Sequence, residues 1–160
     1  MKILLYLLLC MSSGIVNASP DITFKGTLVL PPACTISDGN TIEVEFRDVI
    51  IDSIDGNNGR EVVPYDIKCD AVTPGSSWDM TLTWIGTQTS YDDAAIETDV
   101  TGLGIKLRQN GQPFRVNTPI QINADTKPQL EAVPVKAVDA VLTDGTFSAS
   151  ATLRVEYQRR

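Results

Sequence analysis

The stretch Gly145-Thr146-Phe147-Ser148-Ala149-Ser150-Ala151-Thr152-Leu153-Arg154-Val155-Glu156-Tyr157-Gln158 alternates apolar and polar residues along most of its length. A strand turns successive side chains to opposite faces. A period of two therefore puts Phe147, Ala149, Ala151, Leu153, Val155 and Tyr157 on one face, and Ser148, Ser150, Thr152, Arg154 and Glu156 on the other. The apolar residues change size along the run, with two alanines following Phe147. A self-sufficient core is packed to crystal density. Small residues in mid-strand leave room for side chains that come from elsewhere.

The same period recurs along the chain. Ile22, Phe24, Gly26, Leu28 and Leu30 alternate with Thr23, Lys25, Thr27 and Val29. Ile42, Val44 and Phe46 follow, then Val63, Tyr65, Ile67 and Cys69, with Pro64 marking an edge strand because it cannot donate to a ladder. Trp78, Met80, Leu82 and Trp84 share a face, as do Leu103, Ile105 and Leu107. Phe114 with Val116, Ile120 with Ile122, and Val133, Val135 and Ala137 complete the set. Turn signals separate these runs at Asp38-Gly39-Asn40, 55–59, Thr73-Pro74-Gly75, 110–113 and Asp144-Gly145. Within 91–98, Asp92-Asp93-Ala94-Ala95 permits a short helical turn. About eight short strands with Gly-rich turns and no internal repeat read as one all-β domain, a β-sandwich.

Composition removes several function classes. Twenty acidic against thirteen basic residues, a net charge of −7, supply no basic stripe for nucleic acid. Histidine is absent, which removes Ser-His-Asp and Cys-His catalysis and most zinc sites. Asp52, Asp55, Asn57 and Asn58 share one loop, but not with the spacing of a calcium loop, so a solvated turn is expected. Adjacent Asp92 and Asp93 would face opposite ways on a strand, and Gly102-Leu103-Gly104 lacks the rest of a dinucleotide fingerprint. Trp78 and Trp84 could stack on a sugar, but they share their face with Met80 and Leu82, which favours core packing. No enzyme, cofactor or metal is expected.

The start of the chain is an address. Met1-Lys2 gives a positive start, Ile3 to Met11 is apolar, and Val16-Asn17-Ala18 is a small-residue exit, so residues 1–18 read as a secretory signal cleaved after Ala18. The apolar run is about half the ~20 residues a membrane-spanning helix needs. Leu9 is too large for the residue that precedes a lipidated cysteine at Cys10. Cleavage leaves Cys34 and Cys69, which in an exported protein most simply form one disulfide, with two buried free thiols as the alternative. Closing a loop of about 36 residues should stabilise the fold by ~4 kcal/mol in the chain-entropy model.

Both ends of the mature chain carry a resemblance. Ile22-Thr23-Phe24-Lys25-Gly26-Thr27-Leu28 leads through Pro31-Pro32-Ala33-Cys34 into Thr35-Ile36, and 145–158 closes the chain. With this strand order and cysteine spacing the chain resembles the pilins, the fimbrial subunits of the chaperone–usher pathway of Gram-negative bacteria. It is most similar to the minor subunits of P-type pili. The resemblance implies an incomplete immunoglobulin-like β-sandwich lacking its final strand. In that family a periplasmic pilus chaperone fills the open groove first. At the outer-membrane usher, the N-terminal extension of a neighbouring pilin subunit replaces it.

On this chain the resemblance implies a donor-strand extension at 19–30, presenting Ile22, Phe24, Gly26 and Leu28, and a pilin domain at 31–160. Phe147, Ala149, Ala151, Leu153, Val155 and Tyr157 become the groove wall on which the chaperone docks. The family usually ends one residue after the aromatic that here is Tyr157, whereas this chain continues through Gln158 to Arg159-Arg160. The function implied is a structural minor subunit of a cell-surface fimbrium, exported through the periplasm. The alternative is a single-domain fimbrial adhesin that binds a host glycan or another host receptor.

Overall fold

The computed structural model describes residues 21–28, 30–70, 78–123 and 126–159. The secretory signal with its cleavage site after Ala18, the Thr73-Pro74-Gly75 turn and Arg160 lie outside the described residues. Ten strands follow in chain order: β1 Cys34–Ile36, β2 Glu61–Val62, β3 Ile67–Cys69, β4 Trp78–Ile85, β5 Ala95–Glu97, β6 Leu103–Gln109, β7 Gln112–Pro113, β8 Ile120–Ile122, β9 Leu130–Lys136 and β10 Thr152–Arg159. All pairings between them are antiparallel. One sheet runs β10-β4-β8, the other β2-β9-β6-β5 with β7 on β6, and β1 pairs with β3 as a separate ribbon.

The alternating runs become strands where a face can be buried. Met80, Leu82 and Trp84 of β4 are buried, and Ile105 and Leu107 of β6 meet Leu82 and Trp84 from the other sheet together with Tyr65, Phe114 and Leu130. The Trp84 indole N–H donates to the Phe114 carbonyl at 2.8 Å. The buried Tyr65 hydroxyl donates to the Pro128 carbonyl, and burial pushes its pKa up to about 12. Cys34 and Cys69 stand opposite each other in the β1–β3 ladder and are joined as a disulfide. Trp84 is core, 4% exposed.

Two local expectations change. Residues 91–98 form no helix: a single turn, closed by the Ala95 amide on the Asp92 carbonyl at 3.2 Å, runs straight into β5. Thr89 and Asp92 close a tight turn by exchanging hydrogen bonds at 2.9 and 3.1 Å. Ala94, Ala95 and Ile96 are then buried, and β5 pairs with β6 through Ile96 and Ile105. Burial of three consecutive residues beside an existing strand outweighs the local helical preference. In β9 the core face belongs to Leu130 and Ala132, register partners of Gln109 and Leu107, rather than to Val133 and Val135. Those two valines are buried on the other face, where Gly56 lies against Val135. A strand covered on both sides loses its alternation.

Pro64 follows β2 and sits outside any ladder, and β2 is an edge paired only with β9. Phe114 and Val116 are buried just past β7 rather than within a strand. The loop at 55–59 is closed by Asp55, whose carboxylate accepts the Asn57 and Asn58 amides at 2.8 Å, which lowers its pKa.

Gly104 is packed where β5, β6 and the 89–92 turn converge. A Cβ there would lie 2.9 Å from the Ile96 carbonyl oxygen, Thr89 Cγ2 and the Tyr91 hydroxyl. Gly104→Ala should destabilise the domain by about 1–3 kcal/mol, read as a thermal midpoint several degrees lower. Gly145→Ala, with nothing within 4 Å, should leave the midpoint unchanged.

Candidate functional site: an open apolar groove

The inward side of β10 does not close on another strand. β10 pairs with β4 from Thr152↔Ile85 to Arg159↔Trp78, and its other edge has no ladder partner among the described residues. Upstream, 147–151 runs beyond the end of β4, with Ala151 over Gly86. Facing this wall is the segment 41–49. Ile42, Val44, Phe46 and Val49 are half-buried and Glu43, Glu45 and Arg47 exposed, which is the alternation of a strand. Yet the 41–49 backbone makes no hydrogen bond to another described residue.

Between the two walls lies a groove of about 1150 Å³. Its floor is the core itself: Trp84, Ile96, Leu103, Ile105, Leu107, Leu130 and Ala132 line it. The two walls run antiparallel. At one end Phe46 and Phe147 meet with ring centroids 5.8 Å apart. At the other, Pro31, Pro32 and Cys34 lie with Val155 and Tyr157 around a smaller cavity of about 450 Å³. Phe147, Leu153, Val155 and Tyr157 are half-buried, and Ala149 and Ala151 are exposed. Burial, with a further push from Asp70, raises the Tyr157 pKa.

The N-terminal residues expected to donate a strand stand apart from this groove. Ile22, Phe24, Leu28 and Leu30 are 75%, 90%, 102% and 94% exposed, and a Cβ on Gly26 would meet nothing within 4 Å. Residues 21–28 take no regular structure and do not enter the chain's own groove. The structure thus gathers the C-terminal set into one wall and leaves the N-terminal set projecting into solvent.

The sequence reading missed the 41–49 wall as a groove element, although its alternation is plain. It also missed the anchor of the 147–151 segment. Asp99 accepts the Ser148 amide at 2.7 Å and its hydroxyl at 2.9 Å, and donates its own amide to the Ser148 carbonyl at 3.0 Å. No local signal links two residues so far apart in the chain.

The site can accept an extended chain: two unpaired strand edges offer N–H and C=O groups, and an apolar floor waits between them. Among the described residues no three His, Cys, Asp or Glu converge to hold a metal, and no helix is long and apolar enough to cross a membrane.

A sandwich open along one strand position is the incomplete immunoglobulin-like fold of a pilin. The chain belongs to the fimbrial protein family, which it matches over residues 22–158. It is 64% identical over 155 residues to the uncharacterized fimbrial-like protein YfcQ of Escherichia coli K12, covering 94% of this chain and 96% of that protein. It is 24% identical to the fimbrial adapter PapF of Escherichia coli, covering 98% of each. Among solved structures, the P pilus adaptor subunit PapF superposes with a TM-score of 0.56 at 23% identity, covering 81% of this chain and 98% of that one. The P pilus rod subunit PapA gives 0.58 at 24% identity, covering 86% and 100%. The protein is a structural fimbrial subunit and not an enzyme.

The Asp99–Ser148 anchor makes the wall acid-sensitive. The Ser148 amide and hydroxyl hold the Asp99 carboxyl below its ordinary pKa. The bonded form is the ionised one, so the anchor is complete above the ordinary carboxylate value near 3.9 and is lost as pH falls through the lowered value. The Ser148 amide should be protected from hydrogen exchange at pH 6, keep that protection down to the ordinary carboxylate value, and lose it only at more acid pH. Asp99→Ala should remove the protection at every pH.

Proposed function

We propose that this chain is a minor pilin subunit that polymerises by donor-strand exchange. Its groove receives a strand from a partner, and its extension completes the groove of a neighbour. A periplasmic chaperone holds the groove until the subunit reaches the outer-membrane usher, from which it joins the cell-surface fimbrium. The observation that carries this reading is the pairing of an empty groove reaching the core with an exposed apolar extension in the same chain.

The energetics agree. The wall residues Ile42, Val44, Phe46, Phe147, Leu153 and Val155 are only partly buried. Full burial of such a side chain stabilises by ~1.5–3 kcal/mol, so completing six of them is worth on the order of 5 kcal/mol or more. A domain this size has a total stability of about 5–15 kcal/mol. An unfilled groove therefore leaves the isolated chain marginal, and its open edges invite aggregation. The small Ala149 and Ala151 leave space for the incoming side chains. The YfcQ likeness adds a fimbrial-like relative across nearly the whole chain, and PapF adds an adapter.

Two substitutions separate giving a strand from receiving one. Phe24→Asp should block incorporation behind the preceding subunit while the chaperone complex is still recovered, because Phe24 lies outside the chain's own groove. Leu153→Asp should abolish recovery of the chaperone complex, since it buries an unpaired charge in the wall. Thr152→Asp, on the exposed face, should be mild. Pull-down on a tagged chaperone and fibre incorporation read all three. Normal incorporation of Phe24→Asp would overturn the donor assignment, and a normal complex with Leu153→Asp would overturn the groove assignment.

A further inference from the structure

The 41–49 rim of the groove carries exposed charge, Glu43 and Glu45 with Arg47 beyond them. Glu43 and Glu45 point outward from the 41–49 wall, and neither forms an ion pair with a described residue. Because the walls run antiparallel, with Phe46 on Phe147 and Cys34 beside Tyr157, these glutamates lie level with 148–152 on the opposite rim. The outward residues there are Ser148, Ser150 and Thr152, which carry no charge, and Arg154 further along is already paired with Glu156 at 3.5 Å. A strand lying between the walls at this level meets the Glu43 and Glu45 carboxylates on one flank and, on the other, hydroxyls of which that of Ser148 is held by the Asp99 carboxylate. Beneath it, Ala149 and Ala151 leave the most room.

Such a position suits a large apolar residue facing in, with a cation next to it facing out. The chain carries that pattern in its own extension: Phe24 is 90% exposed, Lys25 adjoins it with no ion-pair partner among the described residues, and Gly26 follows. Residues 21–30, extended at about 3.3 Å per residue, reach about 30 Å, close to the roughly 33 Å from Phe147 to Tyr157 along the wall. We propose that the groove recognises the extension of a second copy of this chain, with Phe24 seated over Ala149 and Ala151 and Lys25 set beside Glu43 and Glu45. This rests on the donor-strand reading above and adds to it the partner and the charge that selects it.

The test is self-assembly of the mature chain, purified as its complex with the pilus chaperone, followed as the growth of an oligomer ladder on unheated gels. Opposite charges on neighbouring strands change an equilibrium by roughly two- to fivefold per pair. Lys25→Glu should slow the ladder by about that factor, and so should Glu43→Lys with Glu45→Lys. A chain carrying all three substitutions should recover most of the original rate, and 1 M NaCl, with a screening length of about 3 Å, should flatten the differences. All of these sites are exposed, so folding is not at stake. Rates independent of charge, or a triple variant no faster than the others, would overturn the proposal. If the chain makes no ladder with itself but takes up an extension peptide from another pilin, self-recognition falls and the groove reading stands. If no strand peptide displaces the chaperone, both fall.

Discussion

The organising constraint is backbone hydrogen bonding along one missing strand. An extended chain buried at a sheet edge must pair its N–H and C=O groups with something, or bear the cost of leaving them unmade. Here two edges, 41–49 and β10, face each other across a gap that none of the described residues fills. Every peculiarity of the domain follows from that gap. The core lies open to solvent along one line, the flanking apolar residues are only half-covered, and the wall beyond β4 needs a side-chain anchor from Asp99 in place of ladder bonds.

Much of this was legible in the residues. The C-terminal run announced a strand with a small-residue gap in its apolar face; only its second half, from Thr152, forms β10, and Ala149 and Ala151 line the groove just upstream of it. The N-terminal alternation reads as a strand, but residues 21–28 pair with nothing and leave Ile22, Phe24 and Leu28 exposed. Cysteine arithmetic foresaw the Cys34–Cys69 pairing, because removing the signal leaves two thiols in an exported chain.

What escaped was tertiary. The alternation of Ile42, Val44 and Phe46 cannot say that the segment lacks a partner, since pairing depends on which strands the fold brings alongside. Ala94 and Ala95 look permissive for helix until Ile96 is placed against Ile105. The valines of β9 seemed to mark the core face because a strand buried on both sides gives no periodic hint of which side is which. The groove is thus a property of two segments about a hundred residues apart, and only their meeting at Phe46 and Phe147 defines it.

The disulfide has a mechanical consequence. The extension joins the domain through Pro31 and Pro32 and reaches Cys34 at once, and Cys34 is fastened covalently to Cys69 on the adjoining strand. A pull on the extension therefore loads β1 and β3 together, and the short β1–β3 ladder cannot be unzipped from its end one hydrogen bond at a time. On the donor-strand reading proposed above, slippage at this point of a filament under tension would require breaking a covalent bond, so failure is diverted to the non-covalent joint between neighbouring molecules.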